Sequence, residues 1–102
     1  MSQAELKQID QQTLAVIGDL VLENAPVMKL KGEQLLSAMG GKVIIDLAGV
    51  VQSGSAGVSV LLCWMRAAKS NNKELRFRNM PEKMFDIARV SSLDEFLPLA
   101  TD

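Results

Sequence analysis

Hydrophobic residues change their spacing several times along this chain, and each change marks a new element. Residues 5–9 (Glu-Leu-Lys-Gln-Ile) and 13–18 (Thr-Leu-Ala-Val-Ile-Gly) read as two short strands, with polar Asp10, Gln11 and Gln12 between them as a hairpin turn. Pro26 suits the first turn of a helix, and Val27, Leu30, Leu35 and Met39 recur at near-helical spacing until Gly40 and Gly41 stop it. Residues 42–47, between Gly41 and Gly49, form a continuous β-branched run. That is the signature of a strand covered on both faces, and it is the best candidate for the centre of a sheet. After the polar stretch Gln52, Ser53, Gly54, Ser55, Ala56, Gly57 the period becomes 3.6. Val58, Leu61, Leu62, Met65 and Ala68 then share one helix face up to Asn71 and Asn72. Residues 74–78 alternate as an edge strand does. Pro81 begins a third helix carrying Met84, Phe85, Ile87, Ala88 and Val90, and Ser91 and Ser92 cap a short last turn with Phe96 and Leu97. The order β-β-α-β-α-β-α predicts an α/β fold in one domain over residues 1–102. Its sheet should be small and mixed, about four to five strands, parallel in the later ones, with about three to four helices packed on it.

Composition narrows the chemistry. The 102 residues include no histidine, which removes the commonest general base, the commonest zinc ligand and every Ser-His-Asp or Cys-His arrangement. With 11 Lys+Arg against 12 Asp+Glu, no basic field draws the chain to nucleic acid. The single Cys63 cannot form an internal disulfide, and the polar first residues lack the apolar stretch of a secretory signal, so the cytoplasm is the expected compartment. No apolar run approaches the ~20 residues that cross a bilayer, so no direct membrane insertion is expected. Neither a metal nor a cofactor is expected.

The densest signal is the junction from Asp46 to Val58, where a strand feeds a helix. Open α/β sheets place their sites there, because the first helical N–H groups lack partners. Ser53-Gly-Ser-Ala-Gly imitates the G-x-S-x-G nucleophile elbow, but no histidine is present to activate Ser55. A phosphate cradle would lack the lysine and the spaced glycines of nucleotide loops. A protein-recognition loop remains, with Ser55 as a contact or a phosphoacceptor. The plainer alternative is that Ser53 or Ser55 caps the helix, which does not exclude recognition. Trp64, with Val60 and Ala67, makes a second apolar flank on the same helix, which either packs on a neighbouring helix or belongs to an interface. Cys63 reads as a small hydrophobe. Glu82, Lys83, Asp86 and Arg89 read as a solvated face with local ion pairs, and Arg76 with Arg78 as charge protection of a sheet edge.

Residues 43–47 (Val-Ile-Ile-Asp-Leu), the loop that follows from Ser53 to Leu62, and the segment from Met80 to Val90 together resemble the STAS domain over essentially the whole chain. That is the fold of anti-sigma-factor antagonists and of sulfate-transporter cytoplasmic tails. Within the family the chain is most similar to the stand-alone subunits of phospholipid-transporting ABC complexes. The resemblance places Ser55 on the family's functional hydroxyl, while Gly54 stands where an acidic residue is usual and Ala56 where Ser or Gly is usual. It implies no catalytic residue. The implied partner-binding set is Gln52, Ser53, Gly54, Ser55, Ala56, Gly57 and Trp64. The implied partner is the ATPase subunit of an ABC transporter, and the missing acid weights docking above phosphorylation of Ser55. An unfilled Trp64 flank would also allow self-association without the partner.

Overall fold

A computed structural model describes residues 4–90 and Leu97. The strands are β1 (Ala4–Gln8), β2 (Thr13–Leu20), β3 (Lys42–Ser53) and β4 (Glu74–Arg78), and the helices are α1 (Ala25–Ala38), α2 (Ser55–Ser70) and α3 (Glu82–Val90). The sheet order is β1-β2-β3-β4, with β1 antiparallel to β2 and the remaining pairs parallel. The expected order of elements and the parallel later strands are therefore present. The expected final turn at residues 91–97 lies, apart from Leu97, outside the described residues.

The β1–β2 turn is tied by the Ile9 N–H donating to the Thr13 carbonyl at 2.9 Å and the Gln12 N–H donating to Asp10 Oδ1 at 2.8 Å. Both crossovers between parallel strands carry a helix, which is what a parallel connection needs to bury its sheet.

Burial in β3 alternates. Val43, Ile45 and Leu47 are inside, whereas Ile44 and Asp46 are half-buried and Ala48 is exposed. The expectation of a strand covered on both faces is corrected: the helices cover one face, and the register puts Ile44 beside Arg76 and Asp46 beside Arg78 on the other. An unbroken β-branched run is compatible with either case because Ile also tolerates a half-exposed position. β3 is also longer than expected, reaching Ser53, and its pairing with β2 slips between Ala15 and Ile17 and again between Gly18 and Asp19. These bulges let Gly49, a poor strand residue on propensity, stay in the sheet, where a Cβ would lie 3.0 Å from the Val16 carbonyl oxygen.

The helix α1 buries Met28, Gly32 and Leu36 rather than Val27 and Leu30, which are 55% and 57% exposed. Gly32 explains the rotation. A Cβ there would sit 2.1 Å from the Trp64 indole nitrogen, so the bare backbone of Gly32 is the surface on which Trp64 of α2 packs. Trp64 is fully buried and its indole N–H donates to the Lys29 carbonyl at 3.1 Å, satisfying its polar atom. The end of α1 is held by the Lys73 ammonium, which donates to the Leu36 and Met39 carbonyls, the former also accepting from the Met39 N–H at 3.2 Å. The core joins both layers, with Leu14, Val16, Ile45, Leu47, Leu61, Phe77, Met84 and Ala88 all essentially inaccessible to solvent.

Candidate functional site

The carboxyl ends of β2 and β3 open onto the first turns of α1 and α2. At the start of α2 the N-cap is Gly54, with φ −119 and ψ −160 and no side-chain capping bond. The expectation that Ser53 or Ser55 caps the helix is therefore corrected. Gly54 supplies extended backbone that any residue could adopt, and its carbonyl accepts from the N–H groups of Gly57 and Val58 at 3.0 and 3.4 Å. Ser55 is left exposed on the first turn, with its hydroxyl free of a capping role. A Cβ added at Gly54 would meet nothing within 4 Å, so the position before Ser55 is also open.

Three residues later the environment reverses. Gly57 is buried, and a Cβ there would lie 2.9 Å from the Leu20 carbonyl oxygen and 3.0 Å from Ser53 Cβ. Its role is to let α2 start directly against the end of β2, which fixes where Ser55 points. Of the expected partner-binding residues, Gln52 and Ser55 are exposed, Ser53, Gly54 and Ala56 are half-buried, and Gly57 and Trp64 are inside. The last two are corrected from contact residues to supports. Trp64 faces α1 because Gly32 leaves room for its ring there, so the flank from which self-association was expected is already filled. In place of Trp64, the outward face of α2 carries Ser55, Ser59 and Arg66.

Two contributors escaped the sequence. Leu22 and Val51, each 77% exposed, lie beside the carboxyl ends of β2 and β3. The only signal for them was an apolar residue falling outside any periodic face. Beside Val51 lies a groove of about 500 Å³ lined by Val50, Val51, Gln52, Ser53, Pro81, Glu82 and Lys83.

Asp46 organises the neighbouring strand end. Its carboxylate accepts from the Arg78 guanidinium at 3.0 Å, from the Ala48 N–H at 2.9 Å and from the Asn79 amide at 3.2 Å. Burial pushes this carboxyl up, but the Ala48 N–H, the Arg78 guanidinium and the Asn79 amide together outweigh it and hold the group below its ordinary value. The contact turns the chain at Asn79, whose φ of 58 takes β4 away from β3 and into α3. Arg78 is thus an ion-pair partner as well as an edge charge. On α3, Asp86 and Arg89 pair at 2.7 Å, the local ion pair expected of its solvated face. Among the described residues no group of His, Cys, Asp and Glu could hold a metal ion, and no helix is long and apolar enough to cross a membrane.

A mixed sheet with helices on one face and a strand-to-helix loop offering a serine hydroxyl defines a class of domain rather than one activity. Residues 5–99 match the family described as "Mlab, STAS domain", and the chain belongs to that family. Among solved structures it is similar to a chain of the ATP-bound MlaFEDB complex of Acinetobacter, 30% identical, with a TM-score of 0.76 over 87% of this chain and 94% of that one. The unphosphorylated anti-sigma factor antagonist SpoIIAA has a TM-score of 0.72 at 16% identity, over 98% of this chain and 90% of that one. A putative anti-sigma factor antagonist of Thermotoga maritima reaches 0.75 at 18%, over 97% and 86%. The last two share the fold, and the first shares sequence as well.

Proposed function

We propose that this chain is a non-enzymatic cytoplasmic adaptor. It docks through residues 52–56 and the outward face of α2 onto the ATPase subunit of an ABC transporter that moves phospholipid between membranes. The observation that carries the reading is the exposed Ser55 hydroxyl. It is free of capping duty and exposed beside an open Gly54, on a helix start that the tight seat of Gly57 holds in place. A group held this firmly and used for nothing inside the fold suits a partner. The 30% identity to a chain of an ATP-bound transporter complex supports the choice of partner. The adaptor acts by differential binding: it contacts the assembled ATPase better than the unassembled one and so shifts the population toward the active form. Histidine is absent, so the usual activator of a serine nucleophile is missing, and the hydroxyl is read as a recognition group.

Co-purification of the ATPase with wild-type chain and with Ser55→Arg tests the reading. Ser55 is exposed, so the variant folds, and the ATPase is expected to be lost from the Ser55→Arg sample. Undiminished co-purification removes the loop from the interface. The same exposed hydroxyl favours one other reading, a partner-switching regulator phosphorylated on Ser55, since the start of a helix tolerates added negative charge. Phosphate found on Ser55 together with loss of the partner selects that reading.

A further inference from the structure

β3 is 12 residues long, but β4 accompanies only its first part: the register runs from Lys42 beside Glu74 to Asp46 beside Arg78 and stops. On its other side β3 stays paired with β2 as far as Ser53. Among the described residues the edge of β3 that faced β4 therefore has no strand beside it beyond Asp46, and no backbone hydrogen bond joins it to the connection that leads into α3. The Ala48 N–H is taken by Asp46, which leaves residues 49–53 as the open stretch. Along this stretch runs the groove of about 500 Å³, walled on the far side by Pro81, Glu82 and Lys83, with Val51 77% exposed at its lip.

An open strand edge is a template for another strand, and proteins normally cover or charge it. Here the outward residues are valine and glutamine rather than lysine or proline, and the edge runs straight into the loop that carries Ser55. We infer that β3 accepts an extended segment of the ATPase, added to the sheet along residues 49–53 in the place β4 vacates, with an apolar side chain over Val51. Main-chain pairing would supply affinity and the Val51 contact specificity. Continuity with the Ser55 loop selects the ATPase over a second copy of this chain. The inference rests on the docking reading above, and it adds a strand-pairing site to it.

Amide hydrogen exchange on the full chain, alone and with the ATPase, separates the two claims. Exchange at those amides of residues 49–53 that are not already given to β2 is expected to slow by roughly tenfold or more on complex formation, because they acquire partners. Val51→Asp, at an exposed position that keeps the fold, is expected to weaken ATPase binding about tenfold, as loss of an interface anchor does. Protection confined to residues 54–59, with Val51→Asp binding as the wild type does, overturns the strand-pairing site and leaves the docking reading standing. Protection of 49–53 that rises with concentration of this chain alone assigns the edge to a second copy and overturns the inference. No protection at either segment, with no complex formed, overturns the docking reading and the inference with it.

Discussion

Within α2, two turns only a few residues apart have been built for opposite purposes. At Trp64 there is no spare volume: the ring is fully buried, its N–H is satisfied by the Lys29 carbonyl, and its seat on α1 is a glycine without which it would not fit. At Gly54 a side chain would meet nothing within 4 Å, Ser55 is exposed, and no capping bond restrains the hydroxyl. Gly57 is the joint between them, seated against the end of β2 so closely that a Cβ would lie 2.9 Å from the Leu20 carbonyl oxygen. The difference teaches that rigidity and exposure are supplied by separate residues of one helix. The interior turn holds the axis, and the first turn spends that rigidity on presenting a group to solvent. Substitutions should therefore divide sharply into those that unfold the chain and those that only change its surface.

Trp64→Ala should produce the largest effect, about 4 kcal/mol by the usual cost of emptying a buried aromatic site, read as a fall in the urea midpoint. A loss below about 1 kcal/mol, within the range of surface changes, would mean that the ring is not held inside. Gly57→Val comes next. Its added carbon atoms must enter space where even a Cβ meets the Leu20 carbonyl at 2.9 Å, and overpacking of this kind costs about 2 kcal/mol. Because that strain moves the start of α2, the variant should also lose ATPase binding in conditions where it remains folded. Retained binding at full affinity would break the link drawn between the seat at Gly57 and the aim of Ser55.

Much of this architecture was legible in the sequence, and the misreadings share a cause. The order of elements and the second helix followed from changes of period, because burial of one face imposes that period on the residue types. The face of α1 was misread because Val27, Leu30 and Leu35 carry a strong apolar signal, while the residue that decides the packing, Gly32, carries none. The spacing leaves Trp64 open between packing on a neighbouring helix and an interface, and only the resemblance puts it among the partner contacts. Which neighbour a tryptophan meets depends on a gap left by a residue far along the chain, and spacing does not record it. The extension of β3 to Ser53 was hidden by Gly49 and Gln52, which look like loop residues but are retained through the bulges opposite β2. In the candidate site the reverse holds. Ser55 was legible because a strand end, small residues and a helix start coincide in sequence, whereas the exposure of Leu22 and Val51 emerged only from the fold.

Asp46 offers a milder probe of how firmly the strand end beside the site is held. Its carboxyl is kept below its ordinary value in the folded chain, so the stabilisation it gives is present above the unfolded value and is lost as pH falls through the folded one. Wild-type stability should thus drop as the solution is acidified below about pH 4. Asp46→Asn should cost about 1 kcal/mol at neutral pH, given a partly buried pair that solvent still screens, and should flatten that acid limb. Identical acid limbs in the two proteins would show that the contacts to Arg78, Ala48 and Asn79 do not favour the charged form.

Gly54→Asp should have the smallest effect on the fold and is the most direct check on the open end of α2. The position has ordinary extended backbone and nothing within 4 Å of an added Cβ, so the substitution meets no steric cost. An aspartate at the N-cap can accept from the first free N–H groups and favours the positive end of the helix, so stability should rise by a few tenths of a kcal/mol, ~0.3. A measurable loss in the urea midpoint would mean that the space at Gly54 is filled. If stability holds while ATPase binding falls, the new carboxylate lies inside the docking surface. Gly54 would then stand in place of an acid because the partner needs that approach left clear.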